Sequence, residues 1–127
     1  MKYKVFEELP CWQKARELCR AVSQIIQDAG FRRDHTLRDQ MWRAAGSVMD
    51  NIAEGFDDGS TREFIRFLGY SQRSCGEVQS QLYRALDSNL ISEAQFSRTY
   101  DLASECRKQI KSFRKYLRNY CSEDQQC

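Results

Sequence analysis

The stretch Asn51-Ile52-Ala53-Glu54-Gly55 lies at the end of a helical run that begins near Leu37, and it decides how the middle of the chain folds. Glycine adopts without steric cost the left-handed backbone conformation that ends a helix, so Gly55 is predicted to end this one. Shortly after it, Ser60-Thr61-Arg62-Glu63 has the spacing of a capping box, which satisfies free backbone N–H groups at a helix start. Together the two signals predict a helix–turn–helix joint in mid-chain.

Apolar residues recur with the helical period of 3.6 in four separate parts of the chain. The predicted helices cover residues 10–29, 36–54, 61–88 and 93–120. Pro10 stands in the first turn of the first helix, Gly30 is expected to close it, and Ser92 with Gln95 forms a second capping box before the fourth. Because short connections favour antiparallel neighbours, we predict an all-α, up-down-up-down four-helix bundle, with residues 1–127 as one domain.

Three further glycines, Gly46, Gly69 and Gly76, lie inside the predicted helices. Each costs about 1 kcal/mol relative to alanine in a helix interior, so a compensating contact is expected. Gly69 and Gly76 are seven residues apart and share one helix face, and residues 44–47 form a patch of small side chains on the second helix. We predict that the second and third helices approach each other closely at these positions.

The composition favours a cytoplasmic protein. Residues 1–7 contain no apolar signal-peptide core, and no apolar run is long enough to span a membrane. The chain has six cysteines with no Cys-x-x-Cys pair and a single histidine, so no metal site is predicted. We expect the cysteines to be free thiols, with Cys121 and Cys127 the most exposed.

Basic residues are concentrated in the predicted fourth helix, although the net charge of the chain is only +2. Five of them share one helix face: Arg107, Lys111, Arg114, Lys115 and Arg118. Such a stripe is typical of a surface that binds phosphates, but it is also typical of the solvated outer face of a bundle helix. Arg38 and Arg43 belong to a second basic group at the start of the second helix. Both groups are candidate nucleic-acid contacts, and Tyr116 and Tyr120 are candidates either for stacking on bases or for packing.

Catalytic patterns are lacking in the sequence. His35, the only histidine, lies in a charged connection and has no recognisable nucleophile partner. The acidic turn at residues 57–60 lacks the rest of an EF-hand loop. We therefore predict a non-enzymatic protein without catalytic residues and without a cofactor.

A family resemblance is carried by the segment Gln-Met-Trp-Arg-Ala-Ala-Gly-Ser-Val at residues 40–48 and the motif at residues 51–55. Together they resemble the four-helix-bundle family of large-subunit (23S) ribosomal RNA intervening-sequence proteins. Residues 6–18 and 60–68 are similar to the starts of that family's first and third helices. Trp42 stands where the family commonly has arginine, and Asp57-Asp58 replaces its usual basic residue after the motif.

The resemblance implies a small helical bundle that assembles as a ring-like homopentamer, related to the accessory variability proteins of retroelements, which bind nucleic acid. It implies no catalytic residues. Within the motif, Ile52 and Ala53 are predicted to be core and Gly55 to cap the helix. Asn51 and Glu54 face other directions, where they either form hydrogen bonds to a neighbouring helix or the next turn, or contact a ligand.

A second apolar seam on the second helix predicts a further partner. Trp42, Met49 and Phe56 are spaced by sevens and lie about 100° round the helix from the core-facing seam. A wide apolar surface is typical of a helix with two partners, although these residues could also cover the edge of a single bundle. We predict a homo-oligomer, a pentamer by the resemblance, that binds RNA or DNA through its basic helix faces. The alternative is a protein-interaction scaffold that binds no nucleic acid.

Overall fold

Four α-helices make up most of the protein. The computed structural model describes residues 2–124, the side chains of residue 29 and of residues 122–124 excepted. The helices are α1 (Pro10–Ile26), α2 (His35–Asp57), α3 (Thr61–Asp87) and α4 (Glu93–Asp124). Two short 3-10 helices, Phe6–Glu8 and Ala29–Arg33, precede α1 and α2. The described part of the chain contains no strand, so the all-α prediction is confirmed.

The helices pack as a ring in which α1 and α3 each contact both α2 and α4. The order of contacts shows that α2 and α3 run antiparallel. Ser71 Oγ, early in α3, donates a hydrogen bond to the Val48 carbonyl at 2.7 Å, whereas Gln81 Nε2, later in α3, donates to the Gln40 carbonyl near the start of α2 at 3.3 Å. The predicted four-helix bundle is confirmed.

Each helix buries the apolar stripe that its sequence pattern predicts. The largest completely buried side chains come from all four helices, from the residue before α1 and from the Phe31 turn: Leu9, Leu18, Val22, Phe31, Leu37, Met41, Val48, Ile52, Leu68, Leu82, Ile110 and Leu117. Their removal from water supplies the main driving force for assembling the bundle. The connection between α1 and α2 is therefore anchored by a core phenylalanine rather than left in solvent.

Cysteines contribute to this core as small apolar side chains. Cys11, Cys75 and Cys106 are buried free thiols from α1, α3 and α4. Burial raises the pKa of Cys11 to about 12, so that its thiol stays neutral at physiological pH. The expectation of an exposed free thiol at Cys121 is wrong, because this residue is buried and disulfide-bonded. Cys127 lies outside the described residues.

Two helix ends differ from the prediction at a glycine. Helix α1 ends at Ile26, before residue 29, because Asp28 is extended and the chain turns to bury Phe31. Gly30 lies inside the 3-10 turn, where a Cβ atom would come within 3.2 Å of the Leu90 carbonyl oxygen. Gly30 therefore allows the α1–α2 connection to approach the α3–α4 connection, and it does not close a helix.

The prediction that Gly55 caps the second helix is also wrong. Helix α2 continues to Asp57, and the left-handed glycine is Gly59, with φ of 85°. Gly55 is buried against α3, where an added Cβ atom would lie 2.7 Å from the Phe67 Cβ atom and 3.0 Å from the Phe64 Cδ1 atom. The glycine is required there because the two helices touch, and this contact sets how closely α2 and α3 pack.

The other three helical glycines do not bring α2 and α3 together as predicted. A Cβ atom at Gly46 would meet nothing within 4 Å, so this glycine faces open space. Gly69 and Gly76 face arginine side chains of α4. The glycine that lies at the α2–α3 contact is Gly55, and Gly69 and Gly76 serve the α3–α4 contact.

The predicted capping boxes differ in completeness. At the start of α4, the Gln95 N–H donates to Ser92 Oγ at 3.1 Å and the Ser92 N–H donates to Gln95 Oε1 at 2.8 Å, which is the full reciprocal pair. At the start of α3, Ser60 Oγ accepts from the Glu63 N–H at 3.3 Å. The Glu63 carboxylate pairs with Arg66 at 2.6 Å, so only the serine half of that box is formed.

Substitution of Gly55 tests the close approach of α2 and α3. We expect Gly55→Ala to lower the free energy of unfolding by about 1–2 kcal/mol, because the steric cost of overpacking exceeds the gain in helix propensity. Gly46→Ala is the matched control in the same helix, and it should raise the free energy of unfolding by up to about 1 kcal/mol. Urea unfolding monitored by circular dichroism measures both. Equal stabilities of the two variants would contradict the packing role of Gly55.

Candidate nucleic-acid interface

The basic stripe of α4 lies along the groove between α4 and α3. The guanidinium of Arg107 lies against Gly76, at 3.5 Å from the position of an added Cβ atom, and that of Arg114 lies against Gly69, at 2.9 Å. The seven-residue spacing of the two glycines on α3 thus matches the seven-residue spacing of the two arginines on α4. The lack of a side chain is needed at Gly69, where a Cβ atom would clash with Arg114, whereas at Gly76 a Cβ atom would only touch Arg107.

Arg114 is held in place by the protein itself. Its Nε atom donates to the Ile65 carbonyl at 3.2 Å, and its Nη1 atom donates to Gln72 Oε1 at 2.9 Å. Partial burial lowers the pKa of Arg114, and the neighbouring positive charges of Arg118 and Arg73 lower it further. Arg114 is therefore part of the α3–α4 contact as well as a charge at its surface.

The remaining cations of the stripe are accessible to solvent. Arg107, Lys111, Lys115 and Arg118 are exposed, and within the described part of the chain none of them forms a salt bridge. Four of the stripe's members and one residue of α3 form what we call the basic face: Arg73, Arg107, Lys111, Arg114 and Arg118. Lys115 lies at its edge, about 100° round α4 from Arg114.

Arg73 belongs to this face although the basic stripe predicted from the sequence does not include it. It is exposed on α3 between the two glycines, its guanidinium lies 5.1 Å from the ring centroid of Tyr70, and its charge is felt by Arg114. The feature of the sequence that indicates this role for Arg73 is its position between Gly69 and Gly76. Arg73 and Arg118 thus both act electrostatically on Arg114, and none of the three forms a salt bridge within the described residues.

Arg38 and Arg43, the second predicted basic group, are not part of the basic face. They lie on α2, diagonally across the bundle from α4. Arg38 Nε is 3.4 Å from the carboxylate of Asp39, so its charge is partly neutralised. Arg43 is exposed and lines a cleft between α2 and α3. The structure therefore keeps the two predicted groups on different sides of the molecule.

Tyr116 and Tyr120 do not share the face of the arginines. Tyr116 is about 200° round the helix from Arg114. Its ring contacts Phe113, with centroids 6.0 Å apart, and Phe113 in turn contacts Tyr3. The two tyrosines alternate with basic residues in the sequence. In the helix, successive residues are rotated by about 100°, so the tyrosines lie on the opposite flank of α4.

The motif residues Asn51 and Glu54 have different surroundings. Asn51 Nδ2 donates to the carbonyl and the hydroxyl oxygen of Ser47, at 2.8 and 2.9 Å, and Ser74 of α3 donates to the same hydroxyl at 3.0 Å. Asn51 thus supports a polar contact between α2 and α3 through Ser47. Ile52 is completely buried, as predicted, and Glu54 is exposed. The prediction that Ala53 is core is wrong, because this residue is only half-buried.

The seam Trp42, Met49 and Phe56 is only partly free. Met49 and Phe56 are half-buried against the core, and the Phe56 ring packs on that of Phe64 at 5.9 Å between centroids. Trp42 is 52% exposed. Beside it runs an open groove of about 710 Å³ that includes Gly46 and three acidic side chains, those of Asp39, Asp50 and Glu54. Trp42 is therefore the main apolar feature on this side of α2.

No group of three or more potential ligand side chains that could hold a metal ion occurs in the part of the chain that the structure describes. None of its helices is both long and apolar enough to cross a membrane.

Comparisons with known proteins agree with this architecture. A family model described as 23S rRNA-intervening sequence protein matches residues 7–112. Among solved structures, the chain is similar to a protein of unknown function from the S23 ribosomal protein family of Bacteroides thetaiotaomicron VPI-5482. The TM-score is 0.76 at 21% identity, over 83% of this chain and 95% of the other, which shows a shared fold. No curated protein matches. Because the family model matches most of its length and the structure has four packed helices, the chain belongs to the 23S rRNA-intervening sequence protein family.

Proposed function

We propose that this protein binds RNA or DNA through the basic face, by contacts to the phosphate backbone. The observation that carries the proposal is a row of cations along the α3–α4 groove, with Arg114 held against Gly69 and with Arg73 and Arg118 beside it, none of which forms a salt bridge within the described residues. Like charges held this close repel one another, so a polyanion that neutralises them gains affinity from their proximity. The family's connection with ribosomal RNA intervening sequences supports RNA as the ligand.

The shape of the face supports contact with a strand rather than with a single anion. Arg107 and Arg118 are eleven residues apart on α4, which is about 16 Å along a helix axis. A row of that length spans several phosphates of one backbone. Arg73 adds a cation on the α3 side of the groove, so that a strand lying along the row has positive charge on both flanks.

The proposal includes no reaction and no cofactor, and it places the protein in the cytoplasm. Cys11, Cys19, Cys75 and Cys106 are free thiols, which supports a reducing compartment. Cys121, near the end of α4, is disulfide-bonded, and we expect this disulfide to be reduced in the cytoplasm.

Self-assembly through α2 is the second part of the proposal, with the pentamer that the family resemblance implies. An exposed tryptophan beside an open groove is the type of residue that anchors protein interfaces. Trp42 and the basic face lie on opposite sides of the bundle, so assembly through α2 leaves the basic face accessible. The same surface also supports the alternative function, a scaffold that binds a different protein through Trp42.

Charge removal from the basic face tests nucleic-acid binding. We expect the triple variant Arg107→Gln, Lys111→Gln, Arg118→Gln to bind a single-stranded RNA more weakly than the unsubstituted protein. Because each phosphate contact contributes about 0.7 to the slope of log affinity against log salt concentration, the slope should become shallower by about 2. Filter binding across a salt series measures both quantities.

A variant with the same net charge provides the control for this experiment. Arg20→Gln, Arg33→Gln, Arg98→Gln removes three exposed cations that lie outside the basic face. We expect it to retain nearly the full salt dependence. Equal losses in the two triple variants would show that only the net charge matters, and absence of binding at low salt would overturn the proposal.

Substitution of Trp42 tests the assembly. We expect the unsubstituted protein to sediment as an oligomer at micromolar concentration and Trp42→Gln to shift it toward the monomer, since buried interface tryptophans commonly contribute 2 kcal/mol or more. Tyr83→Gln is the matched control, because Tyr83 is 50% exposed on α3. A purely monomeric unsubstituted protein would contradict the assembly and favour the scaffold.

A further inference from the structure

A polar cleft between α2 and α3 is unexplained by the packing of the bundle. Its volume is about 570 Å³, which is within the range of small-molecule sites. Polar side chains from both helices line it, together with Ala44: Gln40, Arg43, Ser47, Glu77, Ser80, Gln81 and Arg84. Ser47, Gln81 and Arg84 join the two helices by hydrogen bonds, whereas Arg43, Glu77 and Ser80 are exposed and open to a ligand.

Gln81 is the feature that points to a ligand. The residue is 5% exposed, and its Nε2 atom donates to the Gln40 carbonyl at 3.3 Å. The Gln40 carbonyl only accepts hydrogen bonds, so the amide nitrogen of Gln81 must face it. The other amide atom of Gln81, Oε1, is therefore the one that does not contact this carbonyl. Among the residues that the structure describes, this buried Oε1 atom has no hydrogen-bond partner. An unpartnered buried acceptor costs about 1–3 kcal/mol, and a donor that reached it would recover that cost.

The rim of the cleft carries both cations and acceptors. Arg43 is exposed and forms no salt bridge within the described residues. Arg84 Nη1 donates to Gln40 Oε1 at 3.0 Å, which joins α3 to α2 at the cleft through two exposed, flexible side chains. Glu77 and Ser80 add exposed oxygen atoms. A ligand that fits this set has N–H donors for Gln81 and Glu77 and an anion for Arg43.

The cleft adjoins the basic face along α3. Glu77 lines the cleft one helical turn after Arg73, and both residues are exposed. The α3 edge of the basic face therefore lies next to the Glu77 edge of the cleft. This continuity favours a nucleotide of the bound strand over an unrelated small molecule.

We propose that the cleft binds an unpaired base that carries an exocyclic amino group, while Arg43 contacts a neighbouring phosphate. The proposal rests on nucleic-acid binding by the basic face, and it adds the class of base. Cytosine, adenine and guanine have amino hydrogens to donate to Gln81 Oε1, whereas uracil and thymine present carbonyl oxygens at the equivalent position. Because Oε1 is buried, a base reaches it only when side chains of the cleft rotate. A base in a duplex has its pairing edge occupied, so a single strand is the expected ligand.

The test compares oligocytidylate with oligouridylate of the same length at one low salt concentration. Because one neutral hydrogen bond contributes about 0.5–1.5 kcal/mol, we expect oligocytidylate to bind about three- to tenfold more tightly. Gln81→Met should abolish this preference. Gln79→Met is the matched control, because Gln79 is also a buried glutamine of α3 but donates to Ser104 on the α4 side, and it should retain the preference.

A second variant keeps the proposal testable if Gln81→Met does not fold. Ser80 is exposed at the cleft, so Ser80→Tyr fills the cleft without disturbing the core and should also abolish the preference. Equal binding of the two oligomers by the unsubstituted protein, or a preference that survives Ser80→Tyr, would overturn this inference and leave backbone binding in place. Failure of both oligomers to bind at low salt would overturn the proposed function and this inference together.

Discussion

The contact of Arg114 with Gly69 is the constraint on which the α3–α4 side of the molecule depends. A Cβ atom at Gly69 would lie within 2.9 Å of the guanidinium, so any other residue there would displace the arginine. Once in place, the guanidinium satisfies the Ile65 carbonyl and the Gln72 side chain. The same interaction that joins two helices therefore fixes a positive charge at the surface, and the neighbouring cations Arg73 and Arg118 are arranged around it.

This arrangement explains why the fold and the candidate site cannot be separated. In a typical bundle, arginines on an outer helix face extend into solvent and can be exchanged freely. Here Gly69 leaves the space in which Arg114 lies against the neighbouring helix, and Arg107 contacts the same helix at Gly76. A cation held by protein groups loses less conformational freedom on binding a phosphate than a mobile one does. The basic face is thus partly preorganised by the packing of α3 and α4.

The sequence was sufficient to predict the helices because their apolar periodicity is strong and their starts carry recognisable caps. It was misleading at glycines, since a glycine that ends a helix and a glycine that allows a close contact look alike in a sequence. The sequence predicts that Gly55 ends a helix, whereas in the structure it allows a close contact. The atoms that determine its role belong to Phe64 and Phe67, which lie on another helix. Arg73 and Gln81 were missed for the same reason. Their significance comes from neighbours across an interface, Arg114 for one and Gln40 for the other.

The most direct test of this account is the free energy of unfolding of Arg114→Gln measured beside that of Arg118→Gln. Both variants remove one positive charge from the same face of α4. If Arg114 joins the helices, its substitution should lower the free energy of unfolding by about 1–3 kcal/mol, the usual cost of losing hydrogen bonds to a charged group. Arg118→Gln should stay within about 0.5 kcal/mol of the unsubstituted protein, as exposed substitutions generally do. Equal stabilities of the two variants would contradict the claim that the basic face is built on a structural arginine.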